Sequence, residues 1–265
     1  MCLNYESLTV PELQQRVQAC LDRAPKQSDA WLEVVSWFQE SMRPAGVKTS
    51  RATLDALNTR RPIIVRSSFG HTVLASTRAL ELASITAATP DPAGGKIWRD
   101  AHGEPTGLLE DTAFAVFSTL LPKPTLQEYV AGARAALTAM NRQGVTSFLD
   151  AWAAEADMDA FQAVRGSGKL TARAHFAPPI EPSEANDPER ALKRVVLFAH
   201  YYDEGVLERD PGITVRNAKL FLDGVIAAPA LTGAMRQPYF ANSGTAAEPD
   251  WAPGPILVGL ARAGI

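Results

Sequence analysis

Cysteine is scarce in this chain: Cys2 and Cys20 are the only two in 265 residues, and they form no CxxC pair. Two such thiols make no disulfide framework, which fits a reducing compartment. A basic excess is lacking as well, since 26 Lys and Arg stand against 29 Asp and Glu for a net charge of −3. That balance leaves no electrostatic footprint for nucleic acid. No apolar run reaches the length of a membrane span. The opening MCLNYESLTV has neither the basic nor the apolar stretch of a signal peptide. A soluble, cytoplasmic protein without nucleic-acid or membrane partners is expected. The sequence also lacks a Gly-rich phosphate loop, a Ser-His-Asp elbow and a catalytic-cysteine setting. No short repeat or low-complexity tract is evident.

What is there is ordinary for a protein with a real core: 46% hydrophobic and 21% charged residues, over a length that suits one large α/β domain or two smaller ones. Thr9 and Glu12 form a capping-box pattern, and Leu13, Val17 and Leu21 follow at helical spacing. Residues 29–42 read equally as helix or alternating strand. Residues 50–58 read as a short helix, PIIVRS (62–67) as a buried strand, and 77–83 as another short helix. Residues 87–95 are rich in Pro, Gly and Asp and read as a loop, and KIWRDAHGEPTGLLED as a hairpin turning at His102-Gly103. From Thr125, itself in a capping box with Glu128, helices and strands alternate. A helix with the stripe Val130, Ala133, Leu137 and Met140 ends at Gly144. There follow the strand VTSFLDA (145–151), a helix over 156–166, the strand TARAHFAPP, a helix near 188–203, and the stretch PGITVRNAKLFLDGVI (211–226). Such alternation implies a parallel sheet with right-handed crossovers.

Within that last stretch, strand periodicity sets Val215, Asn217, Lys219, Phe221 and Asp223 on one face and Leu220 and Leu222 on the other. A lysine in a buried strand is unusual. Pointing into a barrel lumen, its pKa would be depressed by burial. The neutral amine could then act as a nucleophile, form a Schiff base, or take up carbon dioxide as a carbamate that bridges two metals. Pairing with Asp150 or Asp223 is the structural alternative. The histidines have plainer readings. His102 is a solvated turn residue, His175 a satisfied core residue or a lumen-facing one, and His200 a helix-end residue. Asp150 either carries function at a strand end or caps the next helix. Glu110 and Asp111 read as solvated hairpin residues.

Several stretches resemble the amidohydrolase superfamily, in particular the group usually called amidohydrolase family 3, which includes N-substituted formamide deformylases. They are RPIIVRSSFGHTVLASTRALELASI, TPDPAGGKIWRDAHGEPTGLLED, RQGVTSFLDA, and KLFLDGVI followed by Pro238-Tyr239. The resemblance implies a (β/α) barrel and a metal-dependent hydrolase of non-peptide carbon–nitrogen bonds in small amide or N-formyl substrates, with divalent metal, zinc by expectation, in the complete family. It makes Lys219 a carboxylated bridging metal ligand if a metal centre forms. It sets His71, with Asp223 and Tyr239, at the substrate side. The departures are as specific. The family's His-x-His is missing, since the four histidines are His71, His102, His175 and His200, and the later metal-ligand strands are missing too. No catalytic residue is therefore assigned. Residues 1–265 are expected to form a single incomplete TIM-type barrel with an inserted loop and hairpin over 84–123. Alone, such a chain is expected to be inactive and to hold no metal, whether from a truncated gene model, a split gene or a degenerate relative. Its open sheet edges suggest self-association or a complementing chain. The alternative reading is a non-catalytic binding or regulatory relative that keeps the barrel's substrate face.

Overall fold

The structure, a computed structural model, describes residues 3–23, 30–92, 94–180, 184, 186–207, 209–221, 233, 235–242, 248 and 250–253. The chain divides into two compact units, one of Met1–Pro122 with Asp223–Ile265 and one of Lys123–Leu222.

In the first unit, α1 (Val10–Arg23) opens on the expected capping box. Thr9 N donates to Glu12 Oε2 at 2.7 Å and Glu12 N to Thr9 Oγ1 at 3.3 Å. Its buried stripe is Leu13, Val17 and Cys20, with Leu21 at the margin. The ambiguous stretch is a strand, β1 (Leu32–Trp37), because Leu32 and Val34 turn into the core while Glu33 turns out. After α2 (Arg51–Asp55) come β2 (Ile63–Ser67), β3 (Thr72–Ala75) and α3 (Thr77–Leu82), then β4 (Gly95–Arg99) and β5 (Pro105–Asp111). These five strands form one sheet in the order β1-β2-β3-β5-β4. Only β1 and β2 pair in parallel; the other pairs are antiparallel. The expected hairpin thus continues the same sheet as β1–β3, and the sheet is mixed because hairpin connections at 68–71 and 100–104 reverse the chain. The run Ile63-Ile64-Val65 is apolar throughout because both faces are covered. Ile63 and Val65 pack with Leu13, Val17 and Trp37, while Ile64 packs with Val73, Leu109 and Phe117.

In the second unit, α4 (Leu126–Arg142) is capped as expected, with Thr125 N to Glu128 Oε2 at 2.7 Å, and its buried residues are Ala133 and Leu137. It is followed by β6 (Ser147–Asp150), α5 (Glu155–Gly166), β7 (Arg173–Phe176), α6 (Pro188–Tyr202) and β8 (Gly212–Val215). The three strands form the expected parallel sheet, order β6-β7-β8. Its helix-side face carries Phe148, Ala174, Phe176, Ile213 and Val215, closed by Phe161 and Met158 of α5. Phe148, Phe161 and Phe176 meet with ring centroids 5.3–6.1 Å apart. The opposite face carries Ser147, Leu149, Arg173, His175 and Thr214. In the C-terminal part of the first unit, β9 (Phe240–Asn242) and β10 (Trp251–Pro253) form a short antiparallel pair.

Candidate functional site

At the C-terminal ends of β6–β8, where parallel α/β sheets gather their functional groups, the second unit holds Lys219. It does not sit in a buried strand. β8 ends at Val215, and Lys219 rejoins the sheet through a single parallel bridge to Pro179: Lys219 N donates to Pro178 O at 2.9 Å and Ile180 N to Lys219 O at 2.7 Å. Phe176 pairs with Val215 and Pro179 with Lys219, so three steps along one chain match four along the other. The extra residue breaks the alternation that periodicity had extended from Val215. Val215 is buried under the helices and Lys219 is half-buried. The ammonium lies 4.7 Å from the centroid of the Phe221 ring, which meets Trp152 edge-on at 5.1 Å. Trp152 and Phe221 are both more than half exposed.

His175 stands on the face opposite the core, half-buried, with Nδ1 at 2.6 Å from Thr214 Oγ1. It lies on the sheet face away from the helices and not in the core. Asp150 Oδ1 accepts from Trp152 N at 3.0 Å, a local turn. The start of α5 is instead served by Asp157, whose Oδ2 accepts from Ala154 N at 3.1 Å. Burial, then the neighbouring Asp150 charge, pushes the Asp157 carboxyl up.

The first unit holds His71 in the turn between β2 and β3. Asp111, at the end of β5, is tied to it twice. Asp111 N donates to the His71 carbonyl at 3.0 Å, and the His71 Nδ1 lies 2.7 Å from Asp111 Oδ1. A carboxylate only accepts, so the ring donates through Nδ1 and presents Nε2 outward. Asp111 takes a left-handed backbone, φ 49°, to reach this position. Beside it, Glu110 is 3% exposed, and burial, opposed by the nearby Trp98 indole and reinforced by the Asp111 charge, pushes its carboxyl up. Glu110 Oε1 and Asp111 Oδ2 are both buried without a hydrogen-bond partner among the described residues. The reading of Glu110 and Asp111 as solvated hairpin residues is therefore overturned. β5 is flanked by β4 on one side and by β3 on the other, and β3 carries no strand signal that sequence reasoning used.

Of the other expected site residues, Tyr239 donates its hydroxyl to Gly233 O at 2.8 Å, and Asp223 lies outside the described residues. His102 is exposed in its turn, as expected, and His200 is exposed in the last turn of α6. Lys219 falls in one unit and His71 and Tyr239 in the other. Among the described residues, no three His, Cys, Asp or Glu side chains gather as a metal ion would require. The Lys219 ammonium lies over the Phe221 ring, and with no such cluster among the described residues these groups do not fit a metal centre.

A family model described as "Amidohydrolase family" matches residues 2–262. The putative amidohydrolase YtcJ of Bacillus subtilis (strain 168) is 28% identical over 79% of this chain and 37% of its own length. The exoenzymes regulatory protein AepA of Pectobacterium carotovorum subsp. carotovorum is 27% identical over 78% of this chain and 42% of its own. The N-substituted formamide deformylase of Arthrobacter pascens is 34% identical over 31% and 15%. The chain thus spans less than half the length of these curated relatives. Among solved structures, an uncharacterized metal-dependent hydrolase from Pyrococcus horikoshii OT3 superposes with TM-score 0.50 and 20% identity, over 85% of this chain and 39% of that one, which is a likeness of fold.

Proposed function

This chain belongs to the amidohydrolase family, and on that premise we propose that its function is hydrolysis of carbon–nitrogen bonds other than peptide bonds, in small amide or N-formyl substrates in the cytoplasm. The family match over residues 2–262 carries the reading. Two arrangements support it. The β6–β8 sheet with α4–α6 has the alternating parallel β/α order that a segment of such a barrel would have, and toward its C-terminal ends it carries His175 and Lys219, where barrel enzymes place their functional groups. The Asp111-oriented His71 lies in the Phe-Gly-His stretch and offers Nε2 to a polar substrate group. The divalent metal of the complete family finds no fitting donor set among the described residues, and no step is routed through it here. The isolated chain is accordingly expected to be inactive and to work with a second chain, whether another copy or a complementing one.

The second reading is a non-catalytic ligand-binding or regulatory relative. The similarity to a protein named as a regulator of exoenzymes, together with the lack of a donor cluster among the described residues, favours it.

The purified chain, grown with zinc supplied, would be given a panel of N-formyl and N-acyl amines while amine release and bound metal are measured. The expectation is no turnover above the blank and well under one equivalent of metal. Turnover dependent on a stoichiometric metal would overturn the expected inactivity and keep the hydrolase. Amide binding without turnover, lost in His71→Ala, is the result expected of the lone chain; binding confined to ligands without an amide or N-formyl group would move the reading to the second. Neither turnover nor binding of any amide would end the amide-substrate reading altogether.

A further inference from the structure

A cavity of about 190 Å³ lies in the first unit where β1 and β2 end and β3 begins, and its lining includes Ser36, Arg66, Ser67, Ser68, Thr72 and Val73. The hydrolase reading uses none of these residues. Three observations mark the cavity as built. First, the backbone is bent to make it: Ser36 has φ 63° and Tyr5, also in the lining, has φ 57°. The two are joined by a hydrogen bond from Tyr5 N to Ser36 O at 3.1 Å. The pairing of β1 with β2 slips between Val34 and Trp37, the bulge that carries Ser36.

Second, Arg66 is anchored but not used up. Its Nε is bonded to Glu33 Oε1 and its guanidinium lies 5.8 Å from the centroid of the Phe114 ring. Its two terminal nitrogens have no partner among the described residues. A fork held at its base and open at its tip is pre-organised for a planar, two-oxygen acceptor. Third, Ser68 Oγ is buried without a hydrogen-bond partner among the described residues, a donor kept from water and given nothing in exchange.

We propose that this cavity binds a small monocarboxylate, with the Arg66 tip forked onto the carboxylate and the Ser68 hydroxyl, closed off from solvent while the cavity is empty, turning about χ1 to donate to it. The Glu33 charge already offsets part of the guanidinium, which favours a monoanion over a dianionic phosphate. Val35 and Val73 supply an apolar wall for a short tail. The volume equals about six waters, room for a carboxylate on two to four carbons.

The test is calorimetric titration of the full chain with sodium propionate at constant ionic strength, with chloride and inorganic phosphate as controls. Saturable propionate binding that chloride does not reproduce is expected. Arg66→Gln should weaken it about tenfold or more, as loss of a charged hydrogen-bond pair does. Arg66→Lys should recover only part, since an ammonium has no fork. Ser68→Ala removes one buried hydroxyl and should weaken binding several-fold without disturbing the fold, so the test stands even if Arg66 variants misfold. Absence of saturable propionate binding, unchanged binding in Ser68→Ala, or tighter binding of phosphate than of propionate would each overturn the proposal. Turnover enters none of these readouts, so they stand apart from the hydrolase reading.

Discussion

Glu110 carries the sharpest consequence at the scale of the residue. Its carboxyl is buried and raised, so the folded state holds its proton to higher pH than the unfolded chain does. Between the unfolded value, near 4.5, and the raised folded value, the native state binds more protons, and stability contributed by this group falls as pH rises. At neutral pH the ionised form is a burden on the fold. Glu110→Gln should therefore be as stable as the wild type at about pH 4 and more stable at about pH 8, by on the order of 1 kcal/mol, the scale of one buried unpaired polar group. Urea unfolding of both proteins at the two pH values checks it. A variant that loses stability equally at both would mean that the Glu110 carboxylate is paired in solution. Asp111 belongs to the same scale: its backbone, φ 49° with ψ −124°, lies where residues with a Cβ are rare, and the residue held there carries the carboxylate that orients the His71 ring.

Elements show where close approach replaces side-chain chemistry. β5 crosses under Ala75 at Gly107, which has φ 96°, and a Cβ there would lie 2.5 Å from the Ala75 carbonyl oxygen and 2.9 Å from Arg51 N. Gly103, in the β4–β5 turn, has φ 84° but open space around it. Gly103→Ala should cost about 1–2 kcal/mol from backbone strain alone. Gly107→Ala carries the same strain plus a clash with two backbone groups and should cost clearly more, moving the sheet of the first unit with it. Thermal melts of the two variants side by side separate strain from clash. Equal losses would show that β5 can shift away from α2 and β3 at no further expense.

At the scale of the whole molecule, large apolar side chains stand exposed among the described residues. On α6, Leu192 and Val196, one turn apart, are 64% and 56% exposed, and Trp152 and Phe221 stand open at the strand ends. Among the described residues no helix is long and apolar enough to cross a membrane. We expect the chain to self-associate at micromolar concentration, and the double variant Leu192→Lys with Val196→Lys to shift sedimentation toward the monomer. A wild-type chain that sediments as a single monomeric species over that range would remove the second chain from the proposed function.

Local signals in the sequence were enough for every element held together by its own neighbours. Both capping boxes, the α4–α6 helices, the buried β2 and the turn at Gly103 follow from hydrogen bonds and periodicities spanning a few residues. The order of the motifs along the sequence likewise points to the family that the match over residues 2–262 shows. What tertiary structure alone decided is everything that depends on which strand lies beside which. β3 is four residues long and legible only through its partners, and Glu110 is buried only because β3 and β4 flank β5. The surroundings of Lys219 turn on one extra residue opposite Pro179, a change in register that no periodicity within the strand can reveal. Pairing between distant segments has no local signature, because its free energy comes from contacts that exist only once the sheet has formed.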